Sequence, residues 1–373
     1  MSTKLTLLVA LFCFSSVIAL AQQVPGNDQT LDQLKGDVPG SSALHVKIEG
    51  GSIRLEGYSG DRISYQVRSL PSRILNRKQP DVPLYKVATY VRGGASWLVA
   101  IPQKDQSGAR AIELVVRVPR SLPFVALDTS GGDVSVGGVD GRLEVTTGGG
   151  RLLITDVRGA VSAETGGQDI DVGTVDGDGR FHTGGGTISL GTGLRNAVLE
   201  SGAGDVRVTF CGGTLKAQSG GGNLVLGDVA GPADIRTDGG NLRLLSAKGF
   251  VRAHTGAGNI ELDGVPGADA STGAGAITAK FTASDHPRHD SVLETPTGDI
   301  TIFLPADLPM TIRATVGLGA GHTINAEIPG LTIASEGHDL NYSIFAEGKL
   351  NGGGPVLDVH AGNGNITFRK LDR

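Results

Sequence analysis

The chain has 373 residues, a formal net charge of −5, 59 glycines and 4% aromatic residues. That mild acidity excludes a nucleic-acid binder held by a basic face. With only two cysteines, Cys13 and Cys211, it is no disulfide scaffold, and its length is enough to bury a large core.

Lys4, the apolar run from Leu5 to Leu20 and Ala19-Leu20-Ala21 before Gln22 read as a secretory signal over residues 1–21. The run is short for a membrane span, which needs about 20 residues, and no later segment is apolar enough to serve as one. Cys13 lacks the small residues a lipoprotein cleavage box places before it. The expected product is exported to the periplasm, the cell surface or the medium, with Cys211 as its one remaining thiol. Residues 22–41, with Pro25, Gly26, Pro39 and Gly40, read as a flexible leader.

Residues 42–124 read as irregular β rungs forming a cap. Leu44 to Leu55 looks like a one-residue-shorter rung, and Ile112 to Val118 is a further alternating strand.

Between Val125 and Gly267 the sequence repeats every 18 residues, inside a regular solenoid expected to span 125–280. From Thr129 the step gives Thr147, Thr165, Thr183, Ser201, Ser219, Thr237 and Thr255, all hydroxyls. From Val134 it gives Leu152, Ile170, Ile188, Val206, Leu224, Leu242 and Ile260, all aliphatic. A fixed period of this size marks a stacked solenoid. Within one rung, apolar columns 125 and 127 flank a polar residue, such as Glu144 or Arg180. That is a strand with one buried face. A Gly-rich turn follows, as in Thr147-Gly148-Gly149-Gly150, where positive φ at low cost is expected. A second strand alternates, and a second corner repeats Gly141, Gly159, Gly177, Gly213, Gly231, Gly249 and Gly267, with Arg195 the departure. The hydroxyl column reads as a ladder satisfying backbone groups at the first corner. Cys211 falls in the small apolar column of the second corner and reads as a buried hydrophobe.

Residues 281–373 read as irregular rungs and a C-terminal cap, interrupted by a surface loop from Phe281 to Asp290. Val118-Pro119-Arg120-Ser121-Leu122-Pro123 is echoed by Leu304-Pro305-Ala306-Asp307-Leu308-Pro309. Each closes one strand with proline and opens the next.

The V-P-x-x-L-P segment at Val118–Pro123, then Leu127-Asp128-Thr129-Ser130-Gly131-Gly132-Asp133-Val134, the tandem T-x-G-[GDN] turns, and Gly352-Gly353-Gly354-Pro355-Val356-Leu357-Asp358-Val359 leading into Gly364-Asn365-Ile366 resemble the bacterial "putative adhesin" β-solenoid family. The resemblance covers about residues 42–370. It implies an all-β, parallel β-solenoid and a presumed adhesive role, and brings no catalytic residues with it.

Two clusters invite chemistry. Glu164, His182 and Glu200 stack on the outer face of the first strand. Carboxylates and imidazole about 5 Å apart suit a metal or proton-transfer ladder, while a His relieving two stacked carboxylates gives the plain structural account. Asp169, Asp171, Asp176 and Asp178 share one rung, an oxygen-rich set suited to calcium, yet Asp does not recur at the half-rung spacing a calcium solenoid needs. Asn223, Asn241 and Asn259 read as an amide ladder. His286-Pro287-Arg288-His289-Asp290 lies in the inserted loop, where solvent-exposed histidines are the plain account. No nucleophile elbow, zincin helix motif, P-loop or dinucleotide fingerprint occurs. The expectation is an exported, non-enzymatic binding or structural solenoid without cofactor, acting on an envelope polysaccharide, a surface protein or its own copies. The alternative is a carbohydrate-active β-helix, a polysaccharide lyase or hydrolase, which would need paired carboxylates in a groove and aromatic platforms. Trp97, the sole tryptophan, lies outside the regular rungs.

Overall fold

The computed structural model describes residues 35–69, 85–102, 112–283, 289–338 and 341–371. The signal reading and most of the leader lie outside the described residues. Every described element is a β-strand, and among the described residues no helix is long and apolar enough to cross a membrane.

The rungs form two long, mainly parallel sheets, so the chain is a parallel β-solenoid. Sheet B takes the first strand of each rung and sheet A the second. In sheet B, Leu143 lies opposite Val161, Val161 opposite Gly179 and Gly179 opposite Ala197. In sheet A, Leu152 lies opposite Ile170 and Ile170 opposite Ile188. Partners are therefore 18 positions apart, and each rung stacks on its own repeat. Inward columns alternate with outward ones, giving burial patterns such as buried–exposed–buried–exposed–buried over Gly179–Thr183. The core between the sheets is narrow and filled by Val, Leu, Ile and Ala. Phe181 fits because Gly179 stands two residues earlier, where a Cβ would lie 2.6 Å from its ring.

The hydroxyl column is buried at the first corner and bonded along the axis. Thr147 Oγ1 donates to Gly132 O at 2.9 Å, Thr165 to Gly150 O at 2.7 Å and Ser219 to Gly204 O at 2.8 Å. The same oxygen accepts from its own turn, as from Gly150 N at 3.1 Å. Two otherwise orphaned backbone groups are thus satisfied per corner.

Positive φ, the expected reason for the turn glycines, holds for Gly258 (153°) but not for Gly150. At Gly150 the reason is close stacking: a Cβ there would sit 2.0 Å from Gly132 O of the rung before. Side-chain-free backbone is what lets successive turns approach.

The ends depart from chain order. Leu44–Leu55 matches Val125–Val136 residue for residue, so it is not a shortened rung. It stacks on Val125–Val136 on one side and on Ser96–Ala100 with Leu114–Val116 on the other. The N-terminal rung is therefore sandwiched, and the segment that follows it in sequence covers it. Lys35–Val38, read as leader, is a strand antiparallel to Ile63–Gln66, anchored by buried Val38. The other end mirrors this. Val356–Leu371 stacks between Ser291–Pro305 and the outer rung of Met310–Val316 and Ile324–Ala326.

The two proline echoes are the crossovers that make this possible. In a regular rung, Val136 to Leu143 takes seven positions (136 to 143). The equivalent columns are nine apart across Pro119 (Val116 to Val125) and ten apart across Pro305 (Ile302 to Ile312). Each passes over one rung. Each also closes a turn, with Leu122 N bonded to Pro119 O at 3.0 Å and Leu308 N to Pro305 O at 3.2 Å. Arg120 N bonds Tyr58 O and Asp140 N bonds Arg120 O, so this crossover supplies the second corner that the Ala43–Tyr58 rung lacks.

Candidate functional site

Glu164, His182 and Glu200 do fall in one outward register on sheet B. His182 Nδ1 lies 3.9 Å from Glu200 Oε2, and Glu200 Oε1 lies 3.5 Å from Lys216 Nζ. Glu200 is shared between a cation and an imidazole, in the open. Such contacts contribute at most about 1 kcal/mol. Among the described residues no group of three or more His, Cys, Asp or Glu is placed to hold a metal ion.

The four aspartates of one rung are spread along it: Asp169 at the first corner, Asp171 on the strand that follows, Asp176 and Asp178 at the second corner. Asp169 Oδ1 accepts from Thr187 N of the next rung at 2.8 Å. Asp171 pairs with Arg151 at 2.6 Å, and this hydrogen bond, with the carboxylate charge behind it, raises the guanidinium pKa further. Asp178 Oδ1 accepts from Asn196 N and Nδ2 at the second corner, each at 3.2 Å, and Asp176 lies there too, in a shallow depression with Leu194, Arg195 and Gly213. Five strand positions, about 17 Å, separate Asp171 from Asp176. Closeness in sequence does not become a shared ligand shell.

Asp169 belongs to an axial series. Asp205 Oδ1 accepts from Asn223 N, Asn223 Oδ1 from Asn241 N, Asn241 Oδ1 from Asn259 N and Asn259 Oδ1 from Ala276 N, all at 2.8–2.9 Å. These side chains cap backbone donors of the following turn. Cys211 is fully buried, and burial pushes its thiol pKa up, which disfavours the reactive thiolate. Of the inserted loop, residues 284–288 lie outside the described residues. His289 packs edge-on against Phe250 with centroids 5.6 Å apart, and Asp290 Oδ1 accepts from Val356 N at 2.7 Å.

One hydroxyl–imidazole pair has catalytic spacing: His254 Nδ1 is 2.7 Å from Ser271 Oγ. A serine nucleophile needs its histidine held by an acceptor on the far side. The next residue in register beyond His254 is Arg236, a cation. The position in register beyond the imidazole thus holds a cation where an activated Ser271 would need an acceptor.

An aromatic ladder on the outer face of sheet B is the feature sequence reading missed. His45 stacks on Trp97 with centroids 4.4 Å apart and 9° between planes. Tyr90 continues the stack at 6.1 Å and 1°, and Phe124 tilts against His45 at 5.5 Å. All four are half-buried. Desolvation lowers the His45 pKa, partly offset by Glu144. The rings stand upright, so Trp97 has neighbours on both faces and presents its edge. Flat stacking of a sugar on Trp97 is therefore blocked. The four residues come from four strands whose pairing crosses chain order, and the available signal was the in-register alignment of His45 with Ala126. Sheet A carries exposed Leu153, Val225 and Leu245 on its outer face.

No family model matches this chain, and no curated protein does. Solved structures similar to it include the following two. One is a "putative cell adhesion protein" from Clostridium sporogenes, with 10% identity over 90% of this chain and 99% of that one, at a TM-score of 0.17. The other is a "putative adhesin" from Bacteroides fragilis, with 12% identity over 90% of this chain and 96% of that one, at a TM-score of 0.21. Both descriptions agree with the family named from the repeat and its flanking segments. At these values the superpositions themselves carry no argument, and the solenoid assignment rests on the strand pairings above.

Proposed function

We propose that this chain is an exported, non-enzymatic binding protein of adhesin type, located in the periplasm, on the cell surface or outside the cell. It contacts a surface polymer or surface protein through the outer columns of sheet B. The observation that carries this reading is the composition of that face. The half-buried aromatic ladder of Tyr90, Trp97, His45 and Phe124 runs on into a strip of both charges: Glu144, Arg180, Glu200, Lys216, Asp234 and Arg252. Aromatic anchors next to mixed charge are what interfaces use, with the rings supplying area and the charges selecting the partner. The region offers many weak contacts in register rather than one deep pocket.

The test is retention of purified protein on cell-envelope fractions and on whole cells, with Trp97→Ala and the pair Arg180→Glu, Lys216→Glu as variants. Retention that weakens in each variant supports the reading. Absence of retention, together with unchanged surface attachment in a deletion strain, overturns it.

A further inference from the structure

Both ends of sheet B finish in an antiparallel hairpin whose outer strand is eight residues long. At one end it is Tyr85–Arg92, at the other Leu331–His338. Among the described residues each pairs with one strand only. An open edge is a template for another strand, and proteins blunt it with Pro, Lys or a bulge. Leu331–His338 has no Pro and no Lys, its pairing register runs unbroken, and seven of its eight residues are exposed.

We propose that the Leu331–His338 edge of one copy pairs with the Tyr85–Arg92 edge of a second copy, stacking solenoids head to tail. Direction is the first argument. Leu331–His338 runs with the sheet-B rungs, because it is antiparallel to Asn341–Leu350, itself antiparallel to Met310–Val316. Tyr85–Arg92 runs against the rungs. Copies stacked in the same sense thus meet as an antiparallel pair.

Apolar exposure is the second. Val91 lies opposite buried Ser96, and Ile333 opposite buried Ala346, so both are on the core side of the sheet. Yet they are 51% and 46% exposed, because the core stops there. A following copy continues the core over them.

Charge is the third. Tyr85–Arg92 carries Lys86 and Arg92 and no carboxylate; Leu331–His338 carries Glu336 and no Lys or Arg. Keeping core-side residues opposite core-side residues restricts the register to steps of two. One such register sets Leu331 opposite Val91, Ile333 opposite Thr89 and Glu336 opposite Lys86. The stepped ends agree with this sense of stacking. Sheet A extends further at the N-terminal end, through Ile63–Ser69 and Lys35–Val38, and sheet B extends further at the other, through Asn341–Leu350 and Leu331–His338. The two edges lie at opposite ends of one sheet, so each added copy extends the solenoid axis and leaves a fresh edge exposed, and this head-to-tail contact yields a fibre rather than a closed ring.

The inference is independent of surface adhesion, and its test uses no surface ligand. Sedimentation of the purified protein across a wide concentration range is expected to show mass rising without a plateau, with unbranched fibres in electron micrographs. Glu336→Lys, which sets like charges opposite one another, weakens association about tenfold. The double variant Glu336→Lys, Lys86→Glu restores it. Ile333→Asn, on the core side of the same strand, weakens association without using charge. Melting temperatures unchanged from the parent show that the variants fold. A monomer at every concentration, a mass that stops at two, or a double variant no better than the single overturns the proposal.

Discussion

The regular block and the two ends obey different rules. From Val125 to Gly267, neighbours in space are the same residue one repeat later, and every column reports its own environment. At both ends the chain leaves that order, adds an outer segment and makes a crossover spanning one sandwiched rung, inward at the N-terminal end and outward at the other. Repetition reveals stacking only while the chain advances one rung at a time. Where it advances two, the stacking partners carry no common spacing, and only the proline echo marks the event.

The sharpest way to break the comparison is by deletion. Removing Arg120 and Ser121 cuts the crossover from nine positions to seven, a one-rung step. The expected outcome is loss of the Ala43–Pro119 end, seen as an early melting phase and rapid proteolysis there. Removing one whole repeat, Val161 to Asp178, keeps every column in register and is expected to leave a shorter, folded solenoid with a single melting transition. If the two deletions behave alike, the distinction between block and ends fails.

Within the block, Phe181→Ala empties the largest fully buried position and should cost about 3–5 kcal/mol in denaturant unfolding. Thr165→Val removes the donor to Gly150 O inside a buried corner and should cost about 1–3 kcal/mol. Asn241→Ala removes one exposed cap and should cost about 1 kcal/mol or less.

The smallest effect belongs to the N-terminal end. Burial holds the folded His45 pKa below its ordinary value of 6.5. The unfolded chain therefore takes up a proton that the folded chain resists, and stability falls as pH drops below 6.5 toward the folded value. His45→Phe should keep the ring stack and flatten that part of the melting-temperature profile. An unchanged profile would remove His45 as its source.

Much of the architecture was legible because solenoid columns are redundant: eight hydroxyls at one spacing need one explanation, and the Gly132 and Gly150 carbonyls supply it. The reason for glycine was less legible, since close approach of Gly150 to Gly132 is invisible until rungs are stacked. The candidate clusters were legible as positions but not as environments. Glu164, His182 and Glu200 share a register as expected, whereas Asp171 sits at the start of a strand and Asp176 just past its end, at the second corner. The aromatic ladder was illegible, since His45, Tyr90, Trp97 and Phe124 meet only through pairings that cross chain order.

The hydroxyl ladder has a sense. Thr147, Thr165, Ser219 and Thr255 each donate to a carbonyl of the rung before. The O–H dipoles of the column are therefore aligned along the axis, positive ends toward the N-terminal rung, and aligned bonds polarise one another. Successive residues of a strand point their N–H and C=O groups to opposite sides, so the backbone largely cancels along the stacking axis, and this buried column gives the rod an electrical polarity that no surface residue encodes and that salt screens less than it screens surface charge.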